Sequence, residues 1–110
     1  MKATLFQNSE GKLYGFQISG HSEYAKSGED ILCSAVSALT ITTINAIEKL
    51  TEDKPEILAL NEEEGFMRFE LKSVSKESEI LLEALKIGLT SIEESYGKYI
   101  QVQIEGGIRC

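Results

Sequence analysis

The chain's one histidine, His21, and the first of its two cysteines, Cys33, are the residue types from which a thiol nucleophile and its base are made. Eleven residues separate them within GHSEYAKSGEDILCSAVSAL, Gly20 to Leu39. An unperturbed thiol, with a pKa of ~8.5, is only a few per cent ionised at neutral pH, so a catalytic cysteine needs surroundings that favour the thiolate. Asp30 directly precedes an apolar run and is a good helix N-cap, which would place Cys33 at the third helical position. Ser27, with Asp30 three residues later, is the competing cap. Under the first assignment the sulfur sits among unpaired backbone N–H groups at the positive end of the helix dipole, and both stabilise the thiolate. The same N–H groups could form part of an oxyanion hole. Ser37 lies one turn beyond Cys33 on the same helical face.

A sheet and a helix must bring His21 and Cys33 together. KATLFQ and KLYGFQIS are strand-like runs joined by the turn residues NSEG, and His21 closely follows the second of them. Ile57–Leu60, an acidic turn ending in Gly65, and Phe66–Leu71 repeat the hairpin form, with Pro55 suited to a strand start. YIQVQIE alternates apolar Ile100, Val102 and Ile104 with polar neighbours, as a half-buried strand does. Between the hairpins, Ile31 to about Leu50 has helical length. After the second hairpin, Leu81, Leu85, Leu89, Ile92 and Tyr96 mark the apolar stripe of a second helix. Glu77 and Glu79 lie near its start, Gly97 lies just past its end, and Glu79, Glu83, Lys86 and Glu93 are expected to face water. The order ββαββαβ predicts an α+β two-layer sandwich, with two helices on a mixed five-stranded sheet. A strand–loop–helix crossing of this kind can bring an imidazole to a sulfur. The intervening loop, Ser22–Glu29, is rich in small residues and is expected to be mobile without ligand.

The 110 residues, 42% of them apolar, suit a single domain spanning 1–110. A net charge of −7 disfavours direct nucleic-acid binding and suits a basic polypeptide partner. Two cysteines far apart in sequence point to a reducing, cytoplasmic setting, and Cys110 reads as a terminal bystander. The first residues are too polar for a signal peptide. The charge-free run Ile31–Ile47 is short for a membrane span and carries Ser, Thr and Asn, so it reads as a buried helix and no membrane is expected. That helix has no charged side chain before Glu48, so part of its surface needs cover beyond its own sheet, and a homodimer is the expected source. One histidine and two distant cysteines fall short of a metal site, and no cofactor is expected.

Each site residue also has an ordinary explanation. Cysteine is among the most buried residue types, so Cys33 could be a structural thiol. His21 could be a solvated loop residue, Asp30 only a cap, and Ser37 only a small residue at a helix–sheet contact.

Taken together, the glycine–histidine pair, the loop, the glycine-x-aspartate step, the two aliphatic residues and the cysteine followed by small residues and serine resemble the signature of the ribosomal-processing cysteine protease Prp family. The resemblance extends over nearly the whole chain, including INAIEKL and the acidic turn LNEEEG. Ser22 and Leu32 are mild departures that remove no chemistry. The resemblance implies a cytoplasmic, dimeric cysteine endopeptidase that removes the N-terminal extension of a large-subunit ribosomal protein, number twenty-seven. It implies Cys33 as nucleophile and His21 as base, with Gly20 aiming the histidine. Asp30 would set the helix start or orient His21, and Ser37 would contact substrate or support the site. The Ser22–Glu29 loop would then act as a gate over bound peptide. Two other classes remain open: a non-catalytic assembly factor that binds a basic ribosomal protein, and a thiol redox sensor.

Overall fold

The computed structural model of the chain describes residues 1–20, 31–61 and 63–106. Its elements run β1 (Lys2–Gln7), β2 (Leu13–Ser19), α1 (Ile31–Leu50), β3 (Pro55–Asn61), β4 (Phe66–Leu71), α2 (Lys76–Tyr96) and β5 (Gln101–Gly106). The strands form one sheet in the order β3-β4-β2-β1-β5, antiparallel throughout except where β5 lies parallel to β1. This is the mixed five-stranded, two-helix α+β architecture that the periodicities predict.

The first hairpin turns on Asn8, whose Oδ1 accepts from the backbone N–H groups of Glu10 and Lys12. Alternation then sorts the strands by face. Ala3, Leu5, Phe16, Ile18, Met67 and Phe69 are buried toward the helix layer. Thr4, Gln17, Arg68 and Glu70 belong to the other face, where the Arg68 guanidinium covers the Phe6 ring at 4.8 Å. Gly15 lets β2 and β4 approach, because a Cβ there would overlap the carbonyl oxygen of Phe69.

In α1, Leu32, Val36, Thr40, Thr43, Ile44 and Ile47 are buried. By length and composition alone the helix could cross a membrane, yet these side chains form core with the sheet and α2. Its buried hydroxyls are satisfied within the helix: Thr40 Oγ1 donates to the Val36 carbonyl at 2.9 Å and Thr43 Oγ1 to that of Leu39 at 2.7 Å. That is how the helix carries Ser and Thr without burying an unpaired polar group.

The α2 stripe differs from the expected one. Ser78, Leu82, Leu85 and Leu89 are its buried residues, while Leu81, Ile92 and Tyr96 only flank the core. Centring the stripe there rotates Ile80 and Ile87 outward, 61% and 66% exposed, and leaves Glu79, Glu83, Lys86 and Glu93 half-buried along the sides. Gly97 also keeps right-handed helical geometry rather than a left-handed cap.

A polar knot fixes the start of α2. Ser75 is the N-cap and accepts from the Ser78 N–H. The Asp53 carboxylate in turn accepts from the N–H and hydroxyl of Ser75 and from the hydroxyl of Ser78. Burial alone would raise the Asp53 pKa, but these hydrogen bonds outweigh it and hold the carboxyl below its ordinary value. Asp53 lies just before β3, so the knot ties the entry of that strand to α2.

Candidate active site

A solvent-open cleft of about 230 Å³ lies where β2 ends, β4 begins and the first turns of α1 cross the sheet. Cys33, Ser37 and Thr40 line it from α1, at the i, i+4 and i+7 spacing that keeps them on one helical face. Cys33 is half-buried and stands two residues after the first described residue of the helix. Its neighbour Leu32 and, one turn on, Val36 go into the core. The sulfur is therefore at the margin of the core rather than sealed inside it. Ser37 is exposed at the rim. The Thr40 hydroxyl, in contrast, is engaged with the Val36 carbonyl.

Gly20 lines the same cleft from the end of β2. Its φ of +81° is one that side-chain-bearing residues rarely adopt, while a Cβ there would meet nothing closer than the Met1 Cα at 3.8 Å. Backbone conformation, rather than space, requires glycine. This agrees with the tight turn expected just before His21. His21, Asp30, the Ser22–Glu29 loop and Cys110 lie outside the described residues. The structure thus brings together Gly20, Cys33 and Ser37 of the five site residues expected from sequence.

The opposite wall was not anticipated. Leu60 and Asn61 at the end of β3, with Phe66 and Met67 at the start of β4, line the cleft across from Cys33. Asn61 Oδ1 accepts from the Glu64 N–H and helps close the hairpin turn. A sequence signal for this wall did exist. Ile57, Leu58, Ala59 and Leu60 are consecutive apolar residues, whereas a strand covered on one face alternates. The cleft therefore offers a half-buried thiol in a mostly apolar trough, suited to an acyl group carrying apolar side chains. Among the described residues, no cluster of His, Cys, Asp and Glu could hold a metal ion.

A model of the family described as cysteine protease Prp matches residues 1–101. The chain belongs to the cysteine protease Prp family. The ribosomal processing cysteine protease Prp of Staphylococcus aureus is 32% identical over 98 residues, covering 86% of this chain and 90% of that protein. The Bacillus subtilis protein of the same name is 25% identical over 107 residues, covering 93% and 95%. The crystal structure of the S. aureus protease with a covalently linked product peptide is similar, with a TM-score of 0.88 at 26% identity over 94% of this chain and 98% of that one. The Prp fold is thus shared over almost the whole chain. Membership makes this chain a cysteine protease, and Cys33 is the cysteine found among the described residues.

Proposed function

We propose that the protein is the cytoplasmic endopeptidase that removes the N-terminal extension of a large-subunit ribosomal protein, number twenty-seven, during ribosome biogenesis. The observation that carries the reading is the position of Cys33: a half-buried thiol in an open cleft at the start of α1, in a chain of a cysteine protease family. The names of the relatives supply the ribosomal substrate. The net charge of −7 suits a basic one.

His21, joined directly to the cleft-lining Gly20, takes the Cys33 proton. The thiolate then adds to the scissile carbonyl carbon, and backbone N–H groups at the start of α1 stabilise the oxyanion. Collapse breaks the C–N bond as His21 returns the proton to the leaving amine. Water, activated by the same imidazole, then hydrolyses the thioester and restores the thiol. Asp30 sets the helix start or orients His21, Ser37 at the rim contacts the peptide, and the Ser22–Glu29 segment gates it. Two copies associate through the apolar surface left on the helices, where Ile41, Ile80 and Ile87 are exposed.

The deciding experiment incubates the protein with a precursor peptide carrying the extension, beside Cys33→Ala and His21→Ala, and follows cleavage by mass spectrometry. Cleavage by the parent and by neither variant, with a loss of at least ~10³-fold, is expected. Binding without cleavage by all three would instead make the protein an assembly factor. Sedimentation of the intact chain tests the dimer, which a monomer at micromolar concentration would exclude.

A further inference from the structure

Resting on the protease reading above, we propose that the outer edge of β3 is the rail on which substrate docks. An extended peptide would add to the sheet beside β3, lay apolar side chains against Leu58 and Leu60, and run off the end of the strand into the Cys33 cleft.

Three observations meet here. First, among the described residues β3 is the terminal strand of the sheet, paired on one side only, so alternate N–H and C=O groups of its backbone point outward from the edge. A row of such groups is a template for another strand. Second, β3 carries apolar side chains that the described residues leave exposed. Leu58 and Leu60 stand opposite Phe69 and Met67 on the helix side of the sheet, yet they are 55% and 60% exposed because the helix layer stops short of them. A long apolar edge is an aggregation hazard in a solitary domain, and partner binding is the ordinary reason to retain one. Third, the rail is continuous with the chemistry, since Leu60 and Asn61 belong both to β3 and to the cleft that holds Cys33.

Charge narrows the occupant. The entry of β3 mixes exposed Glu52 and Glu56 with exposed Lys54, whereas the turn beyond its far end carries exposed Glu63 and Glu64. The matching ligand is an extended segment of apolar residues followed by Lys or Arg at the end that meets this turn. Main-chain pairing would supply affinity that is indifferent to sequence. Leu58, Leu60 and the acidic turn would supply selection, and only a segment able to extend would deliver its carbonyl to the sulfur.

The test uses the full chain carrying Cys33→Ala, a fluorescein-labelled peptide with four apolar residues followed by two lysines, and a series of the same peptide N-methylated at single successive positions. N-methylation removes one backbone donor and leaves the side chains in place. The expected result is a period of two: methylation at alternate positions weakens binding roughly tenfold or more and at the intervening ones less than about twofold. Amides of β3 gain hydrogen-exchange protection when peptide binds, and Leu58→Lys lowers affinity by a further order of magnitude. Equal binding across the methylated series, or protection confined to other strands, would overturn the rail. So would a Leu58→Lys variant that turns a dimer into a monomer at unchanged peptide affinity, which would make β3 a seam between copies. The wild-type chain separates this inference from the protease reading. Cleavage of every methylated peptide at parental rate removes the rail and keeps the protease, whereas alternating affinity without cleavage by the wild type keeps the rail and removes the protease.

Discussion

β3 and β5 both end the sheet, but they meet solvent in different ways. β5 reads QVQIEG, a half-polar alternation, and it is fastened along its length: its Val102 N–H donates to Glu93 Oε2 at 2.8 Å and its Gln103 side chain donates to Thr4 Oγ1 at 3.2 Å. β3 reads PEILALN, presents apolar side chains on both faces, and is exposed from Glu56 to Asn61. Its tether lies upstream, at Asp53. A polar edge with its own side-chain fastenings discourages pairing, and an apolar edge paired to β4 along its length but with its side-chain tether only upstream invites it. The invitation is extended on the side of the molecule that holds Cys33, which suggests that the sheet separates a quiet edge from a working one.

The strongest challenge to that contrast is to make the working edge resemble the quiet one. Leu58→Lys with Leu60→Lys is expected to lower kcat/KM for precursor peptide by about two orders of magnitude, at a folding cost below about 1 kcal/mol because both side chains are already exposed. Peptide turnover and urea unfolding, measured together, check both halves.

Next in size is the tether of β3. Asp53→Ala leaves the hydroxyl of Ser75 without its acceptor and that of Ser78 with only the long contact to Thr51 Oγ1 at 3.4 Å, and should cost about 2 kcal/mol in urea unfolding. The pH dependence follows from the lowered Asp53 pKa. The unfolded value is ~3.9 and the folded one lies below it, so the Asp53 contribution is fully present above the unfolded value and is lost as pH falls through the folded one. Asp53→Asn should flatten that acid-side slope. An unchanged slope would deny the knot its role.

Glu93→Ala removes the corresponding anchor on β5 and is expected to cost about 1 kcal/mol while leaving peptide cleavage within twofold. Smallest of all, Gln103→Lys on β5 should change neither stability by more than about 0.5 kcal/mol nor cleavage. A large loss of activity from either β5 variant would erase the distinction between the edges.

Much of this was legible in the chain. The strand-like composition of β1, the period-2 runs of β4 and β5, the turn residues of NSEG and the helical length after Ile31 are local signals, and the elements formed where they indicated. Gly20, Cys33 and Ser37 were legible for a similar reason: a strand end, a helix start and a one-turn offset are relations between near neighbours in sequence. Less legible was the phase of α2, where Leu81 and Leu82 compete for the stripe and only contact with the sheet and with α1 selects Leu82.

What the sequence determined by itself is the order ββαββαβ, the alternation of faces and the family to which Cys33 belongs, because short-range sterics and side-chain period fix elements within about a turn of where they are written. Which strand lies at an edge depends instead on long-range pairing. β4 joins its own hairpin partner on one side and β2 on the other, and that choice alone leaves ILAL uncovered, although the same four residues would suit a central strand. The tertiary structure therefore decided that Leu60 and Asn61 face Cys33 across a cleft, since a wall built from residues nearly thirty positions apart is specified by burial of the whole core rather than by any local pattern.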